Sequence, residues 1–252
     1  MHPVLLRIGP LTLHTYGFFV AVGFLLGLLW CSREARRRGF DPEIIPDLFF
    51  YVVLSALLGA RLLYILLNLS YFLATPLAVF KIWEGGLVFY GGFLAAMPVL
   101  YWRIRYWRQS PLEIFDIAAP GLVLAQSVGR LGCLSAGCCF GRRCDLPIAV
   151  IFTDPLSHAP LNVPLYPTQI FHALADAVIF FLLVVINRRS HKVGYVAFSY
   201  LVLYGIGRFV IEFWRGDPRG FYAGLSTSQW ISLVLLAGAI LLWFLRLNRS
   251  DS

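Results

Sequence analysis

The stretch VGYVAFSYLVLYGIGRFVIEF, residues 193–213, decides the class of this chain. It is an almost unbroken apolar run, matching the ~20 residues a helix needs to cross a bilayer. Arg208 interrupts it, and Glu212 follows four residues later. A second run, 114–128, is closed by Arg130. A guanidinium in hydrocarbon is costly enough that it is rarely found there without a partner or a task. Arginine also grips phosphate through a planar fork of donors. Two such forks in one apolar chain point to a phosphate-bearing ligand taken from the lipid.

Working outward, the 252 residues are 59% apolar and 13% charged, against about 25% charged in soluble domains. Seven runs read as spans: 13–30, 48–67, 86–101, 114–128, 168–186, 193–213 and 230–245. The third and fourth are short. A water-soluble fold of this length could not bury all seven in one core. The first run lacks a basic leader and precedes its charge cluster, so it reads as a span and not as a cleavable signal. The expected fold is an all-α integral membrane bundle of about seven transmembrane helices, a single domain over 1–252, with a polar cavity in its outer half.

The net charge of +8 does not read as a nucleic-acid footprint. Arg33, Arg36, Arg37 and Arg38 follow the first run, and Arg103, Arg105 and Arg108 the third. Arg188, Arg189 and Lys192 follow the fifth, and Arg246 and Arg249 the seventh. Basic residues thus favour alternate connections, which places the N-terminus outside and the C-terminus in the cytoplasm. Gly23 with Gly27, and Ser55 with Gly59, have the four-residue spacing that lets helices approach closely in lipid.

This topology gives each polar residue a depth. Tyr16, Arg61, Tyr90, Gln126, Arg130, Gln169, Arg208, Glu212 and Gln229 all fall in the outer half; Asp116 falls at the inner end. Gln126 and Arg130 share a helix face, and Arg208 and Glu212 are spaced to pair. Taken singly, Tyr16 reads as an interfacial anchor. Arg61 and Arg208 lie about two turns from a span end, which is far for snorkelling. The shared depth reads as a site.

The stretch Gly129-Arg130-Leu131-Gly132-Cys133-Leu134-Ser135-Ala136-Gly137-Cys138-Cys139-Phe140-Gly141 resembles the signature of prolipoprotein diacylglyceryl transferases, Gly-Arg-x-Gly-Asn-Phe-x-Asn-x-Glu-x-x-Gly. Tyr16-Gly17, Gly59-Ala60-Arg61, Trp83-Glu84-Gly85-Gly86-Leu87-Val88-Phe89-Tyr90-Gly91-Gly92, Pro167-Thr168-Gln169 and Arg208-Phe209 with Glu212-Phe213 and Arg215 are similar to further family motifs, over nearly the whole chain. The resemblance implies a bacterial inner-membrane enzyme of lipoprotein biosynthesis. It would move the diacylglyceryl group of phosphatidylglycerol to the lipobox cysteine of a preprolipoprotein and release glycerol 1-phosphate. It implies that Arg130 binds phospholipid, that Arg208 is a second essential arginine oriented by Glu212, and that Tyr16 and Tyr90 belong to the catalytic set. Arg61, Gln126, Gly91, Gly92, Gly141 and Gln169 would join Arg130 in binding substrate. No cofactor, metal or nucleic acid is implied.

Two departures stand out. Tyr90 occupies the family's usual histidine position, and tyrosine is a poor base near neutral pH. Cys133 and Cys138 occupy the signature's Asn and Glu positions. With Cys139 and Cys144 they make four cysteines within twelve residues, open to disulfides such as Cys133–Cys138 or Cys139–Cys144, to zinc, or to free packed thiols. His158 and His172 are further candidate bases. The alternatives to the transferase are a relative using the same lipid with another acceptor, and a non-catalytic phospholipid-binding protein; a transporter would show paired broken helices.

Overall fold

The computed structural model describes residues 2–8, 11–81, 85–189 and 192–250. Trp83 and Glu84 of the expected motif lie outside them. The elements in chain order are strands β1 (Val4–Ile8) and β2 (Leu11–His14), helices α1 (Thr15–Arg37), α2 (Ile44–Leu67), α3 (Leu69–Ala74), α4 (Phe89–Tyr106) and α5 (Pro111–Ala136), and strands β3 (Val150–Ile151) and β4 (Pro164–Leu165). Helices α6 (Thr168–Arg189) and α7 (Tyr195–Ile211), strands β5 (Phe221–Tyr222) and β6 (Leu225–Ser226), and helix α8 (Thr227–Ser250) follow. Among the described residues, five helices are long and apolar enough to cross a membrane: α1, α2, α5, α6 and α7 with its 3-10 extension through Trp214. Helices α4 and α8 stand where the third and seventh runs were expected. The chain is an all-α integral membrane protein.

Two compact units divide the chain: Met1–Cys31 with Phe115–Ser252, and Ser32–Ile114. In the first, α1 and α5 meet along a seam of small residues. A Cβ on Gly23 would lie 2.7 Å from the Ala125 carbonyl oxygen, and one on Gly27 would lie 2.8 Å from that of Gly121. The spacing expected to serve packing does so. Ala119 and Val123 of α5, Ile179 and Leu183 of α6, and Val196 and Tyr200 of α7 form the buried core. Asp116, the polar residue at odds with the others in depth, accepts hydrogen bonds from the Gly194 and Ala197 amides. Its carboxylate therefore answers orphan donors and the positive dipole end at the start of α7.

Helix α5 outruns its apolar stretch. The run was expected to end at Val128 with Arg130 as its closing residue, but the helix continues to Ala136. Glycine and polar side chains lower hydropathy without breaking the backbone hydrogen bonding, and a Cβ on Gly132 would lie 3.1 Å from the Tyr16 carbonyl oxygen, so that glycine sits against α1. The helix stops at Gly137, whose φ of +72° suits glycine. Arg130 thus lies six residues, ~9 Å, inside a helix.

In the second unit, α2 and α4 pack through glycines. A Cβ on Gly91 would lie 2.3 Å from the Gly59 carbonyl oxygen, and one on Gly92 would lie 2.9 Å from that of Ala56. Neither approach leaves room for a side chain. Asp47 fixes the other end of the pair, accepting from Arg103 Nε at 2.9 Å and Trp107 Nε1 at 2.9 Å. Gly91→Val is therefore expected to destabilise the protein by about 3 kcal/mol, at the upper end for overpacking. Gly238→Ala, where a Cβ would meet nothing within 4 Å, should be neutral or slightly stabilising. Thermal unfolding in detergent checks both; an unchanged midpoint for Gly91→Val would mean that the helices can part cheaply.

Candidate active site

Arg130 and Arg208 both belong to the first unit, with Tyr16, Gln126, Gly141, Gln169 and Glu212. Arg130 projects from α5, half-buried. Among the described residues it makes no hydrogen bond and no ion pair. Its charge interacts with Tyr204, Cys133, Cys139 and Asp176. One turn earlier, Gln126 Oε1 accepts from Tyr200 Oη at 3.1 Å, which fixes the amide on the face it shares with Arg130. Tyr16, in the first turn of α1, lies within charge range of the same arginine and of Cys133, Cys138 and Cys139.

Arg208 occupies the last turn of α7. Its Nη1 lies 3.5 Å from His172 Nε2, and its Nη2 donates to Ser228 Oγ at 3.4 Å. Both contacts are at the outer limit for hydrogen bonds. The expected Arg208–Glu212 pair is not made. Glu212 opens a 3-10 turn, Glu212–Trp214, and the tighter winding changes the register that would have stacked it on Arg208. It accepts instead from Arg219 Nη1 at 3.2 Å and Ser226 Oγ at 2.9 Å. Arg219 also reaches Asp217 at 3.1 Å and Ser228 at 2.6 Å, and Arg215 grips Asp217 bidentately at 2.8 and 2.9 Å. Burial alone would raise the Asp217 carboxyl; the hydrogen bond from Arg215 and the charges of Arg215 and Arg219 outweigh it and hold the group below its usual range. The cations are thus of two kinds. Arg215 and Arg219 are ion-paired with carboxylates, whereas Arg130 and Arg208 have no carboxylate within salt-bridge distance among the described residues.

The signature loop hangs from α6. Thr168 Oγ1 donates to the Cys139 carbonyl at 2.8 Å and Gln169 Nε2 to the Cys138 carbonyl at 2.9 Å. Gln169 is 1% exposed, so the side chain expected to bind substrate is turned to the loop backbone. Gly141 pairs with Arg215 as a β-bridge, and a Cβ there would lie 2.4 Å from the Tyr166 carbonyl oxygen. Its lack of a side chain closes the loop. The four cysteines of the segment are thiols, not disulfides; the Sγ atoms of Cys133, Cys138 and Cys139 lie within 4.8 Å of one another. The Cys138 thiol donates to the Cys133 backbone carbonyl at 3.8 Å.

The remaining expected site residues belong to the second unit. Arg61 is 8% exposed, and its guanidinium is saturated. Nε donates to the Val79 carbonyl, Nη1 to those of Gly85 and Gly86, and Nη2 to those of Ala78 and Lys81, at 2.6–3.3 Å. A guanidinium has five donors, so none is left for a phosphate, and Arg61 folds the segment that follows α2. Gly91 and Gly92 are occupied by helix packing, as above. Tyr90 is exposed beside Phe89.

The family model described as prolipoprotein diacylglyceryl transferase matches residues 3–245. The chain belongs to that family. A phosphatidylglycerol–prolipoprotein diacylglyceryl transferase of Clostridium tetani is 37% identical, covering 92% of this chain and 93% of its own length. Similarly named proteins of Clostridium perfringens and Cupriavidus metallidurans are 36% and 33% identical, over 96% and 97% of this chain and 94% and 93% of theirs. This prolipoprotein diacylglyceryl transferase family member also places two residues at the site that sequence reasoning passed over or undervalued. Asp176 is 2% exposed, with Oδ2 buried and unpartnered, in charge range of both Arg130 and Arg208. His172, one turn before it on α6, meets Arg208. The signal was available: Asp176 is the one carboxylate inside the apolar run 168–186, and the rule that singles out Arg208 applies to it equally.

Proposed function

We propose that this chain transfers the diacylglyceryl group of phosphatidylglycerol to a cysteine thiol of an exported lipoprotein precursor. The thiolate sulfur attacks the glyceryl carbon that bears the phosphate ester. The C–S bond forms as the C–O bond breaks, and the electron pair leaves on glycerol 1-phosphate. The thiol proton passes to a base. The phosphate begins as a diester with one negative charge and departs as a monoester carrying more. Cationic donors already in place stabilise that growth without reorganising at the moment of reaction.

One observation carries this reading. Of Arg130, Arg208, Arg215 and Arg219, only Arg130 and Arg208 have no carboxylate within salt-bridge distance among the described residues. Guanidinium forks without a salt bridge, in a low-dielectric setting, are what a lipid phosphate requires. The names of the relatives agree with it. Purified protein, labelled phosphatidylglycerol and a lipobox peptide should release glycerol phosphate when the peptide carries cysteine and not when it carries serine. Release at equal rates from both peptides, or from neither while lipid still binds, would sink the transferase reading.

The thiol of an exported precursor is presented at the outer leaflet, so the arginines must face it. The basic bias supports an outside N-terminus and a cytoplasmic C-terminus. Reporter fusions at Ala159 should read external and fusions at Ser190, a position outside the described residues, cytoplasmic. The opposite pattern would move the arginines to the inner leaflet.

A further inference from the structure

We propose that Cys133, Cys138 and Cys139 form a three-thiolate site for a soft divalent metal ion, of the Zn²⁺ or Cd²⁺ type. Three sulfurs each ~2.3 Å from a common ion stand roughly 4 Å apart, and here all three lie within 4.8 Å of one another. Small rotamer changes suffice to close the set. The backbone is already committed to this arrangement. Gly137 turns the chain out of α5 with φ +72°, and Cys139 holds a φ of +61°, which a residue with a Cβ adopts at a cost. Thr168 and Gln169 clamp the two carbonyls between which that strain is held.

The surrounding charge fits as well. Three thiolates around a divalent ion carry one net negative charge. The charge of Arg130 reaches Cys133 and Cys139, and the Arg215 guanidinium lies beside Cys139 with Nη1 buried and without a well-formed hydrogen bond. Positive charge from Arg130 and Arg215 thus lies near the position where that negative charge would stand. Cys144 is not part of the group, and neither is Cys31, whose thiol faces the Ala118 carbonyl. No fourth Cys, His, Asp or Glu completes the set among the described residues, so the site keeps a position open to water or to an incoming thiolate.

The test is titration with Cd²⁺ alone, on the full chain purified anaerobically in detergent. One equivalent should bind, with a thiolate-to-metal charge-transfer band in the ultraviolet. Maleimide labelling of Cys133, Cys138 and Cys139 should slow at least tenfold, with Cys144 unaffected. Cys138→Ser and Cys139→Ser should each weaken binding by about tenfold or more, whereas Cys144→Ser should not. Wild-type labelling needs no variant to fold, so the proposal stays open to refutation if a serine variant fails to accumulate. Equal Cd²⁺ affinity in the Cys138→Ser, Cys139→Ser double variant would overturn it. So would a disulfide joining two of the three in anaerobically prepared protein. Neither readout depends on transferase activity, so the proposal can fail without touching that of diacylglyceryl transfer.

Discussion

Arg130→Lys should lower kcat/KM for diacylglyceryl transfer about a hundredfold, some 2.7 kcal/mol of lost transition-state stabilisation, while leaving the fold intact. Lysine keeps the charge and removes the bidentate fork. Because Arg130 makes no hydrogen bond or ion pair among the described residues, the substitution breaks no contact within them, and thermal unfolding should move little. Steady-state turnover against phosphatidylglycerol concentration, measured beside an unfolding curve, gives both numbers. Near-normal turnover would mean that Arg130 supplies only a field. Lost turnover with a collapsed midpoint would mean that the guanidinium is structural after all. Arg61, an arginine expected at the same depth, differs because backbone carbonyls take up all of its donors.

That contrast shows where the sequence stops being informative. Hydropathy located the helices, and the cost of charge in lipid located Arg61, Arg130 and Arg208 alike. It could not separate them, because the difference lies in partners far along the chain. Arg61 is quenched by carbonyls 17 to 25 residues away, in a segment with no periodic pattern to predict its path. Gly91 and Gly92 are a similar case. A Gly-Gly pair in a motif reads equally as room for a ligand or room for a helix, and only the approach to Gly59 and Ala56 decides for the helix. The end of α5 was misjudged for another reason. Apolar runs track lipid exposure, and a helix that turns a polar face to its neighbours outlives the run. Asp176 carries the same signal as the arginines, since a buried carboxylate in an apolar run is as costly and as informative. The short-range Arg208–Glu212 spacing failed because it assumes an α-helix through residue 212, where the winding tightens.

Arg208→Ala and Glu212→Ala should therefore separate cleanly, which a direct ion pair between them would forbid. Arg208 contributes two contacts at 3.4 and 3.5 Å, each near the limit at which a hydrogen bond stabilises at all. Its loss should leave the midpoint of unfolding within a degree or so and reduce turnover about a hundredfold, since a donor to the leaving phosphate is gone. Glu212 is different. Its side chain is 3% exposed, and it accepts from Arg219 and Ser226, which in turn orders Gln229 at the start of α8. Removing one member of a buried ion pair costs about 3–5 kcal/mol; the lower figure is expected here, because Arg219 retains Asp217. Glu212→Ala should thus unfold early, yet the folded fraction at low temperature should keep much of its turnover, because Arg130 and Arg208 are still in place. Unfolding midpoints in detergent and initial rates on the same preparations decide it. If Arg208→Ala is destabilised as much as Glu212→Ala, the two residues are paired in the membrane, and the division between phosphate-gripping and loop-holding arginines on which the functional proposal rests is wrong.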